Sequence, residues 1–234
     1  MNVLVVGNGT MGALVYHQLI EQNNSVTITR DLDIHPCGDF DVIIDFSHPD
    51  GLDAIANFAR ETKVPIVIAT TGYNDEQIKQ IGTLAKEVPV LYSGNYSLGV
   101  ILMNRLVREA AHVLGGDFDI EIIEKHHHHK VDAPSGTAKM LLTAANETLD
   151  YHVIYGREGF CKRRENEIAV HTVRGGSIVG EHEVLFAGAD EVLSIKHEAL
   201  SKSIFVKGAI KGALWLQKMP IGLYSMEDVL FGEG

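Results

Sequence analysis

The sequence predicts an α/β chain in two parts. An open parallel sheet forms the first, and an α+β part with a mixed sheet follows it. Three observations predict this. Short β-branched runs alternate with helical patterns through the first ninety-five positions. The grammar then changes to longer strands with polar alternation. A helical tail closes the chain. Strands that alternate with helices read as βαβ units, and near-continuous apolar strands fit a sheet covered on both faces.

The strands of the first part are expected at Val3–Val6, Val26–Thr29, Val42–Phe46, Ile66–Ala69 and Val90–Tyr92. Met11, Leu14, Val15 and Leu19 share one helix face. Asp50–Arg60 and Asp75–Lys86 are similar, each opening on an acid suited to a helix start. Leu98–Leu114 is a further helix. Strands then follow at Phe118–Lys125, Glu167–Arg174, Ser177–Phe186 and Glu191–Ala199. Ala187-Gly188-Ala189-Asp190 forms the hairpin turn between the last two. A helix over Ser135–Leu149 interrupts these strands, and a last one covers Ser201–Gln217.

Composition narrows the function classes. Twenty Lys and Arg against 31 Asp and Glu leave a formal charge of −11. An acidic chain is a poor non-specific binder of nucleic acid. No apolar run approaches the ~18 residues of a membrane helix, and the first residues lack a basic stretch and the apolar core of a signal peptide. The two cysteines, Cys37 and Cys161, make no disulfide framework and have no metal-ligand spacing. The expected home is therefore the cytoplasm, with no nucleic acid and no membrane as partner.

Gly7-Asn8-Gly9-Thr10-Met11-Gly12 directly follows the first strand and opens a helix. G-x-G-x-x-G in that context is a pyrophosphate cradle. Gly7 permits the turn, Gly9 the approach of the anion, and Gly12 close helix–strand packing. The helix N-terminus attracts the negative charge. This makes the first part a Rossmann-like dinucleotide-binding domain. The second strand ends in Arg30-Asp31. Asp31 suits the ribose hydroxyls of NAD, whereas Arg30 suits the 2′-phosphate of NADP. The implied cofactor is NADH or NADPH. Ala69-Thr70-Thr71-Gly72 and Ser93-Gly94-Asn95-Tyr96 lie at carboxyl ends of strands, where open sheets place ligands.

A second constellation is Lys125-His126-His127-His128-His129-Lys130. It reads as surface histidines, as a metal site, or as an anion-binding and proton-transfer site. Consecutive residues on an extended backbone point to opposite faces, which argues against metal, so none is assigned. Imidazoles that titrate near neutrality beside fixed ammoniums suit proton transfer. Val131-Asp132-Ala133-Pro134-Ser135-Gly136-Thr137-Ala138 follows. Ser135 is a natural N-cap, and Gly136 and Thr137 then present free N–H groups in the first turn. A cationic loop and a helix start so close together suit a dicarboxylate. Arg174 is read equally as a carboxylate contact or a turn residue, and His182 as a packing or interface residue.

The string from Glu121 to Ala138 closely resembles the signature of the dihydrodipicolinate reductase family. Asp45-Phe46-Ser47, Ala69-Thr70-Thr71-Gly72, Asn95-Tyr96-Ser97-Leu98-Gly99 and Arg174–His182 resemble further family blocks in the expected order. The resemblance implies NAD(P)H-dependent reduction of 4-hydroxy-tetrahydrodipicolinate, a cyclic imine dicarboxylate, to tetrahydrodipicolinate in lysine biosynthesis by the diaminopimelate route. It implies His126 as catalytic acid/base and Lys130 as proton donor. It implies His127, Lys130, Ser135, Gly136 and Thr137 as substrate-carboxylate binders. Gly7–Gly12, Phe46, Thr70, Thr71 and Ser93–Tyr96 become cofactor contacts. It also implies a dinucleotide-binding domain over 1–97 plus 208–234, a substrate and oligomerisation domain over 98–207, and a homotetramer assembled through the second-domain sheets. The chain departs from the family in a shorter glycine loop and in Arg30-Asp31, which stands where an acid–Arg pair is expected.

Overall fold

The computed structural model describes residues 1–30 and 38–232. The chain forms two compact units, Met1–Leu98 with Ser203–Gly234, and Gly99–Lys202. In chain order, the first unit contains β1 (Asn2–Val6), α1 (Thr10–Glu21), β2 (Ser25–Thr29), β3 (Val42–Asp45), α2 (Leu52–Thr62), β4 (Ile66–Ile68), α3 (Asp75–Leu84) and β5 (Pro89–Tyr92). After α4 (Leu98–Leu114) the second unit contains β6 (Asp119–His126), α5 (Gly136–Asn146), β7 (His152–Tyr155), β8 (Glu167–Arg174), β9 (Gly180–Ala187) and β10 (Val192–Ala199). The chain returns to the first unit with α6 (Ser203–Leu216), β11 (Gly222–Tyr224) and α7 (Met226–Phe231).

The first sheet has six parallel strands in the order β11-β5-β4-β3-β1-β2. Val3–Val6 of β1 and all of β3 and β4 are buried, as apolar strands covered on both faces must be. Helices α2 and α3 cover one face through Leu52, Ile55, Phe58, Ile81 and Leu84. Helices α1 and α6 pack together, and α6 lies against β3, β4 and β5. The strand order reverses direction between β1 and β3. Open sheets bind ligands outside the strand ends at such a switch point.

The second sheet is mixed, in the order β10-β9-β6-β8-β7. β6, β8 and β7 run parallel, and β9 is antiparallel to β6 and β10. Strict alternation along β6 and β9 buries one face against α4 and α5, with Ile120, Ile122, Ile168, Val184, Phe186, Val107 and Leu141 at its centre. The turn before β10 is closed by Gly188 N–H donating to Glu191 O at 2.9 Å. Three elements carry no clear pattern in the sequence: β7, β11 and α7. β7 and β11 are edge strands of four and three residues with half-exposed side chains, too short and too wet for an apolar alternation.

Candidate active site

Each unit carries one candidate site. In the first, β1 leads into the glycine turn. Gly7 has φ +98°, and a Cβ there would stand 2.3 Å from Phe46 O; a Cβ on Gly12 would stand 1.7 Å from Gly7 O. These two glycines are therefore demanded by the fold itself. Gly9 differs, because a Cβ there would meet nothing within 4 Å. Gly9 caps α1 with no side chain bonded to the helix start. Open space over uncapped N–H groups fits the approach of a pyrophosphate. Gly7 N–H donates to Thr29 O at 2.8 Å, and Phe46 N–H to Val6 O at 2.9 Å, so the loop is tied to both neighbouring strands. Asn8 and Thr10 are exposed and Met11 is half-buried.

The other predicted cofactor residues lie at the carboxyl ends of β2 to β5. Arg30 is exposed just past β2, while Asp31 falls outside the described residues. Phe46 follows β3, Ala69, Thr70 and Thr71 follow β4, and Ser93, Gly94, Asn95 and Tyr96 follow β5. The pairing order brings these loops side by side. Asn95 Oδ1 accepts from Ser97 N–H at 2.8 Å, and Tyr96 OH lies 2.7 Å from Ile68 O.

Asp45, the last residue of β3, belongs to the Asp45-Phe46-Ser47 block but was given no role from the sequence. It is fully buried and accepts from Ser47 N–H at 3.0 Å, from Ser47 Oγ at 2.5 Å and from Tyr73 OH at 3.3 Å. Burial pushes its carboxyl above the usual range, against hydrogen bonds from Ser47 and Tyr73.

In the second unit the six cationic residues separate by strand alternation and by the turn after β6. Lys125 points to the open face of the sheet, where its Nζ pairs with Glu181 at 2.6 Å. His126 turns to the core face, 8% exposed. His128 and His129 are exposed, with ring centroids 3.9 Å apart. His127 is half-buried; burial and the neighbouring His126, His129 and Lys202 push its ring below the usual histidine range. Lys130 Nζ pairs with Asp132 at 2.8 Å.

Ser135 caps α5, its Oγ accepting from Ala138 N–H at 3.2 Å. The following Gly136 has no atom within 4 Å of where a Cβ would sit. The side of the first turn of α5 at Gly136 is thus open, as an approaching anion requires. Ser135 Oγ also lies 3.0 Å from His182 Nε2. His182 lies on the core face of β9, as a packing residue should, and there it is buried against the α5 cap. Its own burial, with His126 beside it, pushes its pKa down to about 4.

Two further residues join this site. Glu124 is fully buried beneath the loop and faces His126 Nδ1 at 2.6 Å. Arg174, which the sequence leaves between two readings, donates to both Glu124 oxygens at 2.8 Å and to Asp132 O at 2.6 Å. One signal could have found Glu124: Ile120, Ile122, Glu124 and His126 share the core face of β6, and a charge in that series is the informative exception.

Comparisons with known proteins cover both units. The profile of the dihydrodipicolinate reductase N-terminus matches residues 16–96, and that of its C-terminus residues 99–230. The 4-hydroxy-tetrahydrodipicolinate reductase of Clostridium novyi is 46% identical over 192 residues, 81% of this chain and 76% of its own. That of Clostridium tetani is 40% identical over 249 aligned positions, 98% and 97% of the two chains. Among solved structures, a dipicolinate-bound dihydrodipicolinate reductase from Paenisporosarcina sp. TG-14 superposes with a TM-score of 0.78 at 24% identity. The match covers 96% of this chain and 97% of that one.

Proposed function

The chain belongs to the dihydrodipicolinate reductase family, and we propose that its two units divide that family's chemistry between dinucleotide binding and proton management. It is an oxidoreductase with a nicotinamide dinucleotide cofactor. It reduces 4-hydroxy-tetrahydrodipicolinate to tetrahydrodipicolinate in the diaminopimelate route of lysine biosynthesis. The observation that carries the division of labour is the keyed arrangement at the end of β6. There a buried imidazole, a lysine and the capped start of α5 lie within a dozen residues.

In this reading Gly7–Gly12 cradle the pyrophosphate, with Phe46, Ala69, Thr70, Thr71 and Ser93–Tyr96 around the nicotinamide end. The bound dinucleotide supplies a hydride. Gly136 and Thr137 N–H groups, with Ser135, His127 and Lys130, hold one substrate carboxylate. Lys130 donates the proton that answers the negative charge left on the ring nitrogen, and His126 acts as acid/base. Asp132 keeps Lys130 aimed beside the helix start. The substrate is a small dicarboxylate, which a local cationic loop can attract despite the overall charge of −11. Arg30 offers a handle for NADPH and Asp31 one for NADH.

The same reading gives a cytoplasmic homotetramer, with neither nucleic acid nor membrane as partner. Exposed Val192 and Leu193 on edge strand β10 support assembly through the mixed sheet. Light scattering after gel filtration should return four times the chain mass.

The reaction is tested by absorbance at 340 nm, with the substrate made in situ from pyruvate and aspartate semialdehyde. Oxidation of NADH or NADPH should require the full mixture. Arg30→Ala should slow NADPH and spare NADH. Equal slowing of both would remove Arg30 from cofactor choice.

A further inference from the structure

Glu124 is the buried charge on which the donors of the second unit converge. Its Oε1 accepts from Ser135 N–H at 3.0 Å, from Arg174 Nη2 at 2.8 Å and from the Thr172 hydroxyl at 3.4 Å. Its Oε2 accepts from Arg174 Nη1 at 2.8 Å and faces His126 Nδ1 at 2.6 Å. A carboxylate buried this deeply persists only where such donors match it. Burial pushes the Glu124 carboxyl up, but hydrogen bonds from Arg174, His126 and Ser135 outweigh it and hold it below the usual range. An ionised carboxylate only accepts hydrogen bonds, so the ring nitrogen facing it must donate. His126 therefore carries a proton on Nδ1. The opposite nitrogen, Nε2, is left over Gly180, where a Cβ would stand 3.1 Å away.

We propose that Glu124 is a positioning residue of the reaction. It holds His126 as the Nδ1–H tautomer with Nε2 as the atom that exchanges protons. Through Ser135 N–H it ties that ring to the helix start that grips the substrate. The proposal rests on His126 as acid/base and on α5 as the carboxylate site. Arg174 from β8 is the counter-ion that keeps Glu124 ionised. His182 from β9 stands edge-on to His126 with ring centroids 5.1 Å apart, and His127 and Lys130 follow in the same loop.

Glu124→Gln tests it. Three donors point at the Oε1 position, so the amide oxygen takes that place and the amide NH2 faces His126. Nδ1 must then accept, and the ring proton moves to Nε2. Nitrogen-15 shifts of the neutral rings in full-length protein labelled at histidine read this directly, with His126→Gln identifying the resonance. The expected result is a protonated Nδ1 in the wild type and a protonated Nε2 in Glu124→Gln. With it, kcat should fall about 10²-fold and the dinucleotide Kd should stay within about twofold.

A wild-type Nε2–H tautomer overturns the proposal, and this measurement needs no variant of Glu124 to fold. An unchanged tautomer in Glu124→Gln overturns it equally, even where His126 proves essential. If His126→Gln keeps full kcat, the acid/base assignment falls instead, and with it Glu124's part in the reaction; the tautomer result then describes only how the ring is held.

Discussion

Single residues separate what the fold needs from what the ligands need. Gly7 and Gly12 are required by their own neighbours, Phe46 O and Gly7 O, whereas Gly9 faces open space. Gly9→Ala should therefore leave the melting temperature nearly unchanged while weakening dinucleotide binding at least about tenfold, on the order of 1.4 kcal/mol. Gly7→Ala or Gly12→Ala should lower the melting temperature itself. Equal affinity in Gly9→Ala and wild type would remove the pyrophosphate from that loop. At the second site, His126→Gln and Lys130→Ala should each lower kcat by about 10²–10⁴-fold with dinucleotide affinity intact. The loss of affinity without loss of turnover would place either residue in binding alone. His126 and Lys130 stand out in the sequence through an unusual local string. Glu124 and Asp45 do not, because each lies in a strand otherwise read for its apolar residues. Their partners Arg174, Ser135 and Tyr73 arrive from other elements.

At the scale of elements, α5 is both a structural helix and half of the candidate substrate site. Ser135 caps it and also engages His182, 47 positions away in sequence. Ser135→Ala should cost about 1 kcal/mol of stability from the lost cap. It should also raise the substrate KM more than it lowers kcat. Denaturation curves and steady-state kinetics on the same preparation check both, and a KM within error of wild type would exclude Ser135 from the carboxylate grip. The mixed sheet supports this helix through Phe186, fully buried in the core between sheet and helices. Phe186→Ala should cost about 3–5 kcal/mol. The long strands β6 and β9 were legible because burial alternates along one covered face. β7 stayed hidden because an edge strand on the sheet's margin needs no such alternation.

For the whole molecule, pH links the site to stability. His182 is held near pKa 4 in the folded chain, against an ordinary value of 6.5. Between those values the unfolded chain binds the proton and the folded chain does not, so stability rises with pH across that window. The contribution is on the order of 3 kcal/mol when complete above about pH 6.5. Glu124 and Glu121 are held low by Arg174 and His126, and by His171 and Arg157, against the opposing effect of burial. Their stabilisation is present above the ordinary carboxylate range and is lost as pH falls through their folded values. Destabilisation should therefore begin near pH 6.5 and steepen below about pH 4. Urea midpoints at pH 7.5, 5.5 and 4.5 test this, and equal midpoints at all three would mean His182 charges freely in the fold.

The sequence by itself determined the α/β class, the order of most elements, the glycine cradle and the cationic loop before a capped helix. All of these are local patterns, set by side-chain periodicity and backbone freedom over a few neighbouring residues. Only the tertiary structure decided which groups share a charge. Glu124, Ser135, Arg174 and His182 lie on β6, α5, β8 and β9, separated by up to 58 positions, and they meet because the sheet order β9-β6-β8 stacks them under one helix start. A buried carboxylate is legible as an exception on an apolar face, but the partners that keep it ionised are chosen by strand pairing, which no local pattern carries.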